Sequence, residues 1–169
     1  YGDYYAQGYL MGSGVNYSII RFADVLLWAA ECEVEVGDLN RARQLVNYVR
    51  ARARDGQYVE VSNDYIGNYY PSANYYIDTY NQPWTNKDEA REAVRFERRL
   101  ELGLEGHRFF DLVRWGIAAD YINKYLQEEK LRLPNDLTGV TVTAGKNEYF
   151  PIPQGEIDLD PNLKQNPGY

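Results

Sequence analysis

The sequence predicts a mainly α-helical fold in which a Tyr-rich loop separates two helical regions and an extended Pro-rich tail follows. Three observations predict it. Apolar residues recur at helical spacing, 17 of the 169 residues are Tyr and cluster where no helical period exists, and prolines punctuate the C-terminal part. The predicted segments are a loop at 1–18, a helical hairpin at 19–54, the Tyr-rich loop at 55–85, helices at 86–130 and an extended tail at 131–169.

Composition excludes several classes of protein. A net charge of −7 disfavours a nucleic-acid surface, because phosphate binding needs clustered cations. One Cys excludes an internal disulfide, and one Cys with one His is too little for an ordinary zinc site. The longest apolar run, Val25–Ala30, is far shorter than the ~20 residues that span a bilayer. The chain starts at Tyr1 without a signal peptide, so we expect a processed chain or a piece of a longer protein.

The hairpin at 19–54 is predicted from two apolar patterns. The first helix carries two adjacent apolar stripes and should therefore be buried around most of its circumference, Cys32 included. It should end near Val36, with Gly37 in a left-handed conformation and Asp38 capping the second helix. The second helix has one apolar face, formed by Ala42, Leu45, Val46, Val49 and Ala53. So short a connection makes the two helices antiparallel, as in a tetratricopeptide unit, which needs a further layer to cover its second face.

The Tyr-rich loop at 55–85 is the predicted binding segment. It has no helical period and no Lys or Arg, and its tyrosines stand among Asn, Asp, Gln and Ser. Half of the tyrosines could simply fill the interior. Flat aromatic rings beside amide and hydroxyl groups are nevertheless suited to sugar rings and their hydroxyls, and fixing Tyr costs little entropy. The candidate glycan-binding residues are Tyr65, Tyr69, Tyr70, Tyr75, Tyr76, Tyr80 and Trp84.

Further helices are predicted after this loop. Asn86 and Glu89 have the spacing of a capping box, which starts a helix that continues towards Leu102. Another helix runs from about His107 to Trp115 and continues or restarts through Tyr125. Beyond residue 131, prolines such as those of Phe150–Pro153 keep the tail extended.

Motifs for catalysis or metal binding are weak. Glu97, Glu101 and Glu105 share a helical face and could serve a glycosidase, but neighbouring Arg residues should lower their pKa values, which is unfavourable for a general acid. Residues 158–162 resemble the start of a calcium loop but lack its Gly and final Glu, which favours a turn. We therefore predict no catalytic residue, no metal ligand and no cofactor.

Six segments of the sequence form a recognisable series. They are IRFADVLL at Ile20–Leu27, NYVRARA at Asn47–Ala53, FERRLEL at Phe96–Leu102, EGHRFFDLVRWG at Glu105–Gly116, Pro151–Pro153 with Glu156–Ile157, and Asn162–Tyr169. In sequence and in order they resemble the SusD/RagB family of surface nutrient-binding lipoproteins. The resemblance implies that the chain is the C-terminal part of a SusD-like fold, because family members are about three times as long. Arg21, Arg98 and Arg114 should then join helices through their acidic neighbours.

The resemblance implies a function as well as a fold. Family members are non-catalytic glycan-binding partners of SusC-like TonB-dependent transporters, located at the cell surface of the outer membrane by a lipid anchor, which here would lie outside the chain. The family's ligand-contacting aromatics lie in variable loops, so no binding residue can be assigned by motif, and the Tyr-rich stretch is longer than the usual connection. Two alternatives stay open: a module that docks on a peptide or on the transporter, and, less favoured, a glycoside hydrolase.

Overall fold

The computed structural model describes residues 18–56, 60–63, 68–71 and 76–169. The predicted loop at 1–18, apart from its last residue, and the candidate residues Tyr65 and Tyr75 lie outside these ranges. Two compact units divide the chain, Tyr1–Glu101 and Leu102–Tyr169. Each unit is described separately below.

The described part of the chain is mainly helical, which confirms the predicted fold class. In the first unit, the elements are α1 (Phe22–Val36), α2 (Leu39–Asp55), β1 (Glu60–Asn63), β2 (Asn68–Pro71) and α3 (Lys87–Glu101). In the second unit they are α4 (His107–Arg114), α5 (Ala118–Arg132), α6 (Pro134–Leu137) and α7 (Gln154–Leu159). Among these helices, none is both long enough and apolar enough to cross a membrane.

The core of the first unit lies between α1, α2 and α3. The hairpin of α1 and α2 supplies most of it, and α3 packs against both helices as the further layer that the hairpin requires. Alanines on all three helices are almost fully buried, which lets the helix axes approach closely. The buried apolar residues are Ala23, Leu27, Ala30, Val34, Ala42, Leu45, Val46, Val49, Ala90 and Val94.

One face of α1 differs from the prediction. The stripe through Leu27 and Ala30 is buried, but Phe22 is 75% exposed and Val36 is 90% exposed. Cys32, expected in the interior, is also exposed. The physical reason is that, within the first unit, α2 and α3 pack on the side of α1 that carries Leu27 and Ala30.

The turn between α1 and α2 uses a close contact where a left-handed residue was predicted. Gly37 has φ −125° and ψ −132°, so the predicted left-handed conformation is wrong. A Cβ at this position would instead lie 2.1 Å from Oε2 of Glu33, the oxygen that accepts a hydrogen bond from the Asp38 N–H at 3.0 Å. The predicted cap is confirmed, since Oδ1 of Asp38 accepts from the Asn40 N–H at 2.7 Å.

The Tyr-rich segment contains a short antiparallel hairpin that the sequence did not predict. Strands β1 and β2 pair with Val61 opposite Tyr70 and Ser62 opposite Tyr69. Each strand has only four residues, too few for an alternating pattern to stand out among so many polar residues and tyrosines.

The predicted start of α3 is confirmed by its cap. Oδ1 of Asn86 accepts from the N–H groups of Asp88 at 2.9 Å and Glu89 at 3.2 Å, and Nδ2 of Asn86 donates to Oε1 of Glu89 at 3.5 Å. These bonds satisfy donors that have no partner inside a helix. They end the Tyr-rich segment at a defined position.

The second unit begins with a turn and continues into α4 and α5. Gly106 has φ 85°, a left-handed conformation that favours glycine, and it directly precedes α4. In the tail, two short helices interrupt the extended chain. The Gln165 side chain pairs with both backbone polar groups of Ile152, at 2.8 Å each, and so joins the Pro-Ile-Pro segment to the C-terminus.

Candidate functional site

The structure places the candidate residues in three different settings. Tyr69 and Tyr70 belong to β2, Tyr76 follows the hairpin, and Tyr80 and Trp84 lie in the segment that leads to α3. Tyr76 is 89% exposed. Tyr80 and Trp84 are half-buried.

Tyr80 and Trp84 form one aromatic pair on the helical core. Their ring centroids lie 5.3 Å apart with an interplanar angle of 69°, an edge-to-face contact. Both side chains pack against the buried cluster of α1, α2 and α3. Part of each ring therefore stabilises the fold, which leaves less ring area for a ligand than a fully exposed residue such as Tyr76 offers.

The backbone of Tyr80 is held by side chains of α2. The Asn47 amide accepts from the Tyr80 N–H at 2.8 Å and donates to the Tyr80 carbonyl at 3.0 Å, so it satisfies both backbone groups. Arg43 donates to the same carbonyl from Nη1 at 2.6 Å. Three hydrogen bonds thus fix one residue of the Tyr-rich segment on a rigid helix.

Arg50 adds three contacts at the same place. Its Nε donates to the carbonyl of Asp78, and its guanidinium lies 4.9 Å from the Tyr80 ring centroid, a cation–π contact. Its Nη1 donates to Oε2 of Glu97 on α3 at 2.7 Å. Arg50 therefore connects α2, α3 and residues 78–80.

The surroundings of Tyr80 also affect its phenol. Burial raises the pKa of the Tyr80 phenol, and the positive charge of Arg50 opposes this effect.

The acidic residues of α3 are engaged in ion pairs. Glu101 accepts from Arg21 and from Arg52 at 2.7 Å each, and Glu97 is buried beside Arg50. The expected lowering of the Glu97 pKa is wrong: burial raises it and outweighs the Arg50 contacts. Glu97 is nevertheless only 4% exposed, so a substrate on the surface does not reach it.

The acidic stretch at 158–162 consists of the last two residues of α7 and the turn that follows the helix. Oδ1 of Asp160 accepts from the N–H of Asn162 at 2.9 Å, and Oδ1 of Asp158 accepts from Gln154 at 2.8 Å. Throughout the described ranges, no group of three or more His, Cys, Asp or Glu side chains is arranged to hold a metal ion.

Sequence reasoning missed the residues that hold the segment. Arg43, Asn47 and Arg50 recur at spacings of four and three residues, so they share one face of α2. The Arg residues fall mostly outside the apolar face that predicts α2, so that face gives them no role. The available signal was that spacing of long polar side chains on one face of α2, beside a long segment that supplies no cationic donor of its own.

What this arrangement can do follows from its rigidity. The α2 side chains fix the backbone at residues 78–80, only two residues after the exposed ring of Tyr76. An exposed ring near a fixed backbone loses little conformational freedom when a flat apolar ligand stacks on it. Aromatic and amide groups of the described part of the segment are contacts of the kind that a ligand could use, and the nearby carboxylate of Glu97 is buried.

Comparison with known proteins identifies relatives along almost the whole chain. The sequence model of the SusD family matches residues 4–169. SusD-like protein P25 of Formosa agariphila is 32% identical over 151 residues, which cover 89% of this chain and 24% of that protein. The starch-binding protein SusD of Bacteroides thetaiotaomicron is 41% identical over 69 residues, which cover 41% of this chain and 11% of that protein.

A solved structure agrees with the sequence relatives. The crystal structure of a SusD homolog from Bacteroides thetaiotaomicron superposes with a TM-score of 0.70 at 33% identity, and the match covers 97% of this chain and 30% of that one. SusD-like protein P2 of Formosa agariphila also matches, over 93% of this chain. The chain spans about a quarter of the length of these relatives, 24% of P25 and 26% of P2. Motifs, fold and relatives agree, and the chain belongs to the SusD family.

Proposed function

We propose that this chain is part of a cell-surface protein that binds glycans, and that its Tyr-rich segment at 55–85 contributes to the binding site. The observation that carries the proposal is the chain's membership of the SusD family, one relative of which is named a starch-binding protein. The site would use stacking on Tyr rings and hydrogen bonds from neighbouring amides and hydroxyls.

The geometry of the segment supports this location. Tyr76 is exposed, and residues 78–80 are hydrogen-bonded to α2, so the ring stands near a fixed backbone. Tyr69 and Tyr70 belong to a paired strand, which limits the freedom of their backbone. Tyr80 and Trp84 offer the ring area that their packing leaves uncovered, and Tyr65 and Tyr75 complete the proposed set.

Binding without bond cleavage is the activity that we propose. Of the acidic residues that could serve a glycosidase, Glu97 is buried against Arg50 and Glu101 accepts from two arginines. General acid–base hydrolysis needs two carboxyl groups that face the scissile bond from opposite sides, and buried ion pairs do not offer that. No catalytic residue, cofactor or metal is part of the proposal.

The proposal extends to partner and location. The bound glycan would be handed to a SusC-like TonB-dependent transporter in the outer membrane, and a lipid anchor elsewhere in the full-length protein would hold the protein at the cell surface. Both statements rest on family membership. Moderate affinity suits this task, since the glycan must leave the site to enter the transporter.

A glycan-array screen of the full-length protein tests the proposal. We expect retention of one class of neutral oligosaccharide, together with no release of reducing ends when the retained glycan is incubated with the protein. Failure to retain any glycan would contradict glycan binding, and release of reducing ends would contradict a non-catalytic role.

A further inference from the structure

The geometry points to Arg43, Asn47 and Arg50 of α2 as positioning residues, which set the glycan affinity of the Tyr-rich segment without touching the glycan. This inference rests on the proposed function. It concerns three side chains that lie outside the Tyr-rich segment and that no composition argument singled out. We call these three side chains together the α2 clamp.

The first step of the argument is how completely the clamp satisfies the backbone. Asn47 both accepts from and donates to Tyr80, at 2.8 and 3.0 Å, which copies the pairing that a neighbouring strand would offer. Arg43 supplies the second bond to the same carbonyl at 2.6 Å, and Arg50 donates to the carbonyl of Asp78. Four hydrogen bonds from one helix face thus hold residues 78–80.

The second step is that the clamp is itself rigid. Arg50 is fixed at its other end by Glu97, whose carboxylate is 2.7 Å from Nη1 and whose side chain is 5% exposed. Val46 and Val49, which alternate with the clamp residues along α2, are 0% and 2% exposed in the core. The clamp therefore holds the backbone of residues 78–80 at a fixed position relative to the core helices.

The third step is what the clamp gives to a ligand. Segment 55–85 contains no Lys and no Arg, and the carbonyl groups of Asp78 and Tyr80 accept from side chains of α2. Without the clamp, residues 78–80 would lose these bonds, the rings of Tyr76, Tyr80 and Trp84 would sample more positions, and a glycan would have to order them on binding. Pre-organisation removes that entropic cost and so raises affinity.

Asn47→Ala in the full-length protein is the sharpest variant. It removes the two bonds that Asn47 makes to Tyr80, leaves the bond from Arg43 and changes no charge. Arg43→Gln tests the same site independently. The matched control is Arg41→Gln, because Arg41 is exposed on the same helix and contacts Gln44 at 3.4 Å.

Two measurements decide the inference. The first is amide hydrogen exchange at Tyr80, whose N–H is bonded to Asn47, with the amides of the buried stripes of α1, α2 and α3 as internal reference. The second is the dissociation constant for a glycan. Maltoheptaose is the first glycan to be tested, since one relative is a starch-binding protein, and the glycan that the unmodified protein retains on the array is the next.

We expect Asn47→Ala and Arg43→Gln to speed exchange at Tyr80, to leave the helical reference amides unchanged and to weaken glycan affinity roughly tenfold. Arg41→Gln should change neither quantity. Unchanged exchange would overturn the clamp, and uniform loosening of all three helices would show a merely structural role. Faster exchange with unchanged affinity would overturn the positioning role. If no glycan is retained, the proposed function and the positioning role fail together, whereas the exchange data still decide whether the clamp exists.

Discussion

Arg98 of α3 donates to Asp24 of α1 at 2.6 Å, and both side chains are 1% exposed. The guanidinium also lies 3.5 Å from the Glu31 carboxylate and 5.7 Å from the Trp28 ring centroid. Two buried charges are tolerated in a helical core only when each compensates the other. The pair therefore fixes how α3 packs on the hairpin of α1 and α2. Side chains of α2 in turn hold residues 78–80 of the Tyr-rich segment.

Replacing Arg98 with Met should destabilise the full-length protein strongly. The substitution leaves Asp24 buried without its partner, and breaking such a pair costs about 3–5 kcal/mol of unfolding free energy. Denaturant unfolding measures the loss. The matched control is Arg132→Gln, because Arg132 is 77% exposed and pairs with Glu129 at 3.2 Å, so its loss should cost under about 1 kcal/mol. Equal costs for the two variants would contradict the buried-pair account.

Trp84→Ala should lower stability as well as any binding. Trp84 packs on the core cluster and contacts the Tyr80 ring, so its removal leaves a partly uncovered core. Because the side chain is half-buried, we expect a loss of about 2 kcal/mol, below the full cost of a core aromatic. Tyr76→Ala, at an 89% exposed position, should change stability by less than about 0.5 kcal/mol. Parallel denaturant curves compare the two variants, and an equal loss would show that Trp84 has no core role.

Acid should weaken the contact between α1 and α3 through Glu35. Hydrogen bonds from Arg91 and then Lys87 lower the pKa of Glu35 from 4.5 to about 2. Because the folded pKa lies below the unfolded value, this contribution is present above pH 4.5 and is lost as the pH falls towards 2. Glu35→Gln should therefore flatten the pH dependence of the melting temperature in that window. An unchanged slope would contradict the assignment.

Glu97 should show the opposite sign. Burial raises its pKa despite the hydrogen bond from Arg50, so the folded state binds the proton more tightly than the unfolded state. Its contribution is present below the unfolded pKa and is lost as the pH rises through the folded value. Carboxyl titration by NMR should give a pKa above the ordinary value of 4.5 for Glu97. The same experiment should give a pKa below 4.5 for Glu35. The reverse order would contradict both assignments.

The sequence predicted the helices well because their signals are local. Each of these signals acts within a few residues. They are the apolar stripe through Leu27 and Ala30, the capping residues Asp38 and Asn86, and Gly106 before α4. The start of α3 at Lys87 follows directly from the Asn86 cap. These features are set by short-range physics that a single sequence displays.

The features that the sequence did not predict depend on contacts between side chains and elements that the local pattern does not show. Gly37 leaves room for the Glu33 carboxylate that accepts from Asp38, and the exposed side of α1 reflects which helices pack on it. The clamp joins Asn47 to Tyr80 across 33 positions. Such pairings leave no periodic trace in the sequence, so the candidate rings could be selected by composition but their settings could not be predicted.

The central claim is that rings of the Tyr-rich segment bind glycan, and one affinity measurement tests it most directly. In the full-length protein, Tyr69, Tyr70, Tyr75 and Tyr76 are replaced together by Ala, and Tyr48→Ala, at a 61% exposed position on α2, serves as the control. Calorimetric titration with the glycan that the array identifies should show binding abolished in the fourfold variant and unchanged in the control. The melting temperature should stay nearly the same in both. Full affinity in the fourfold variant would contradict the claim.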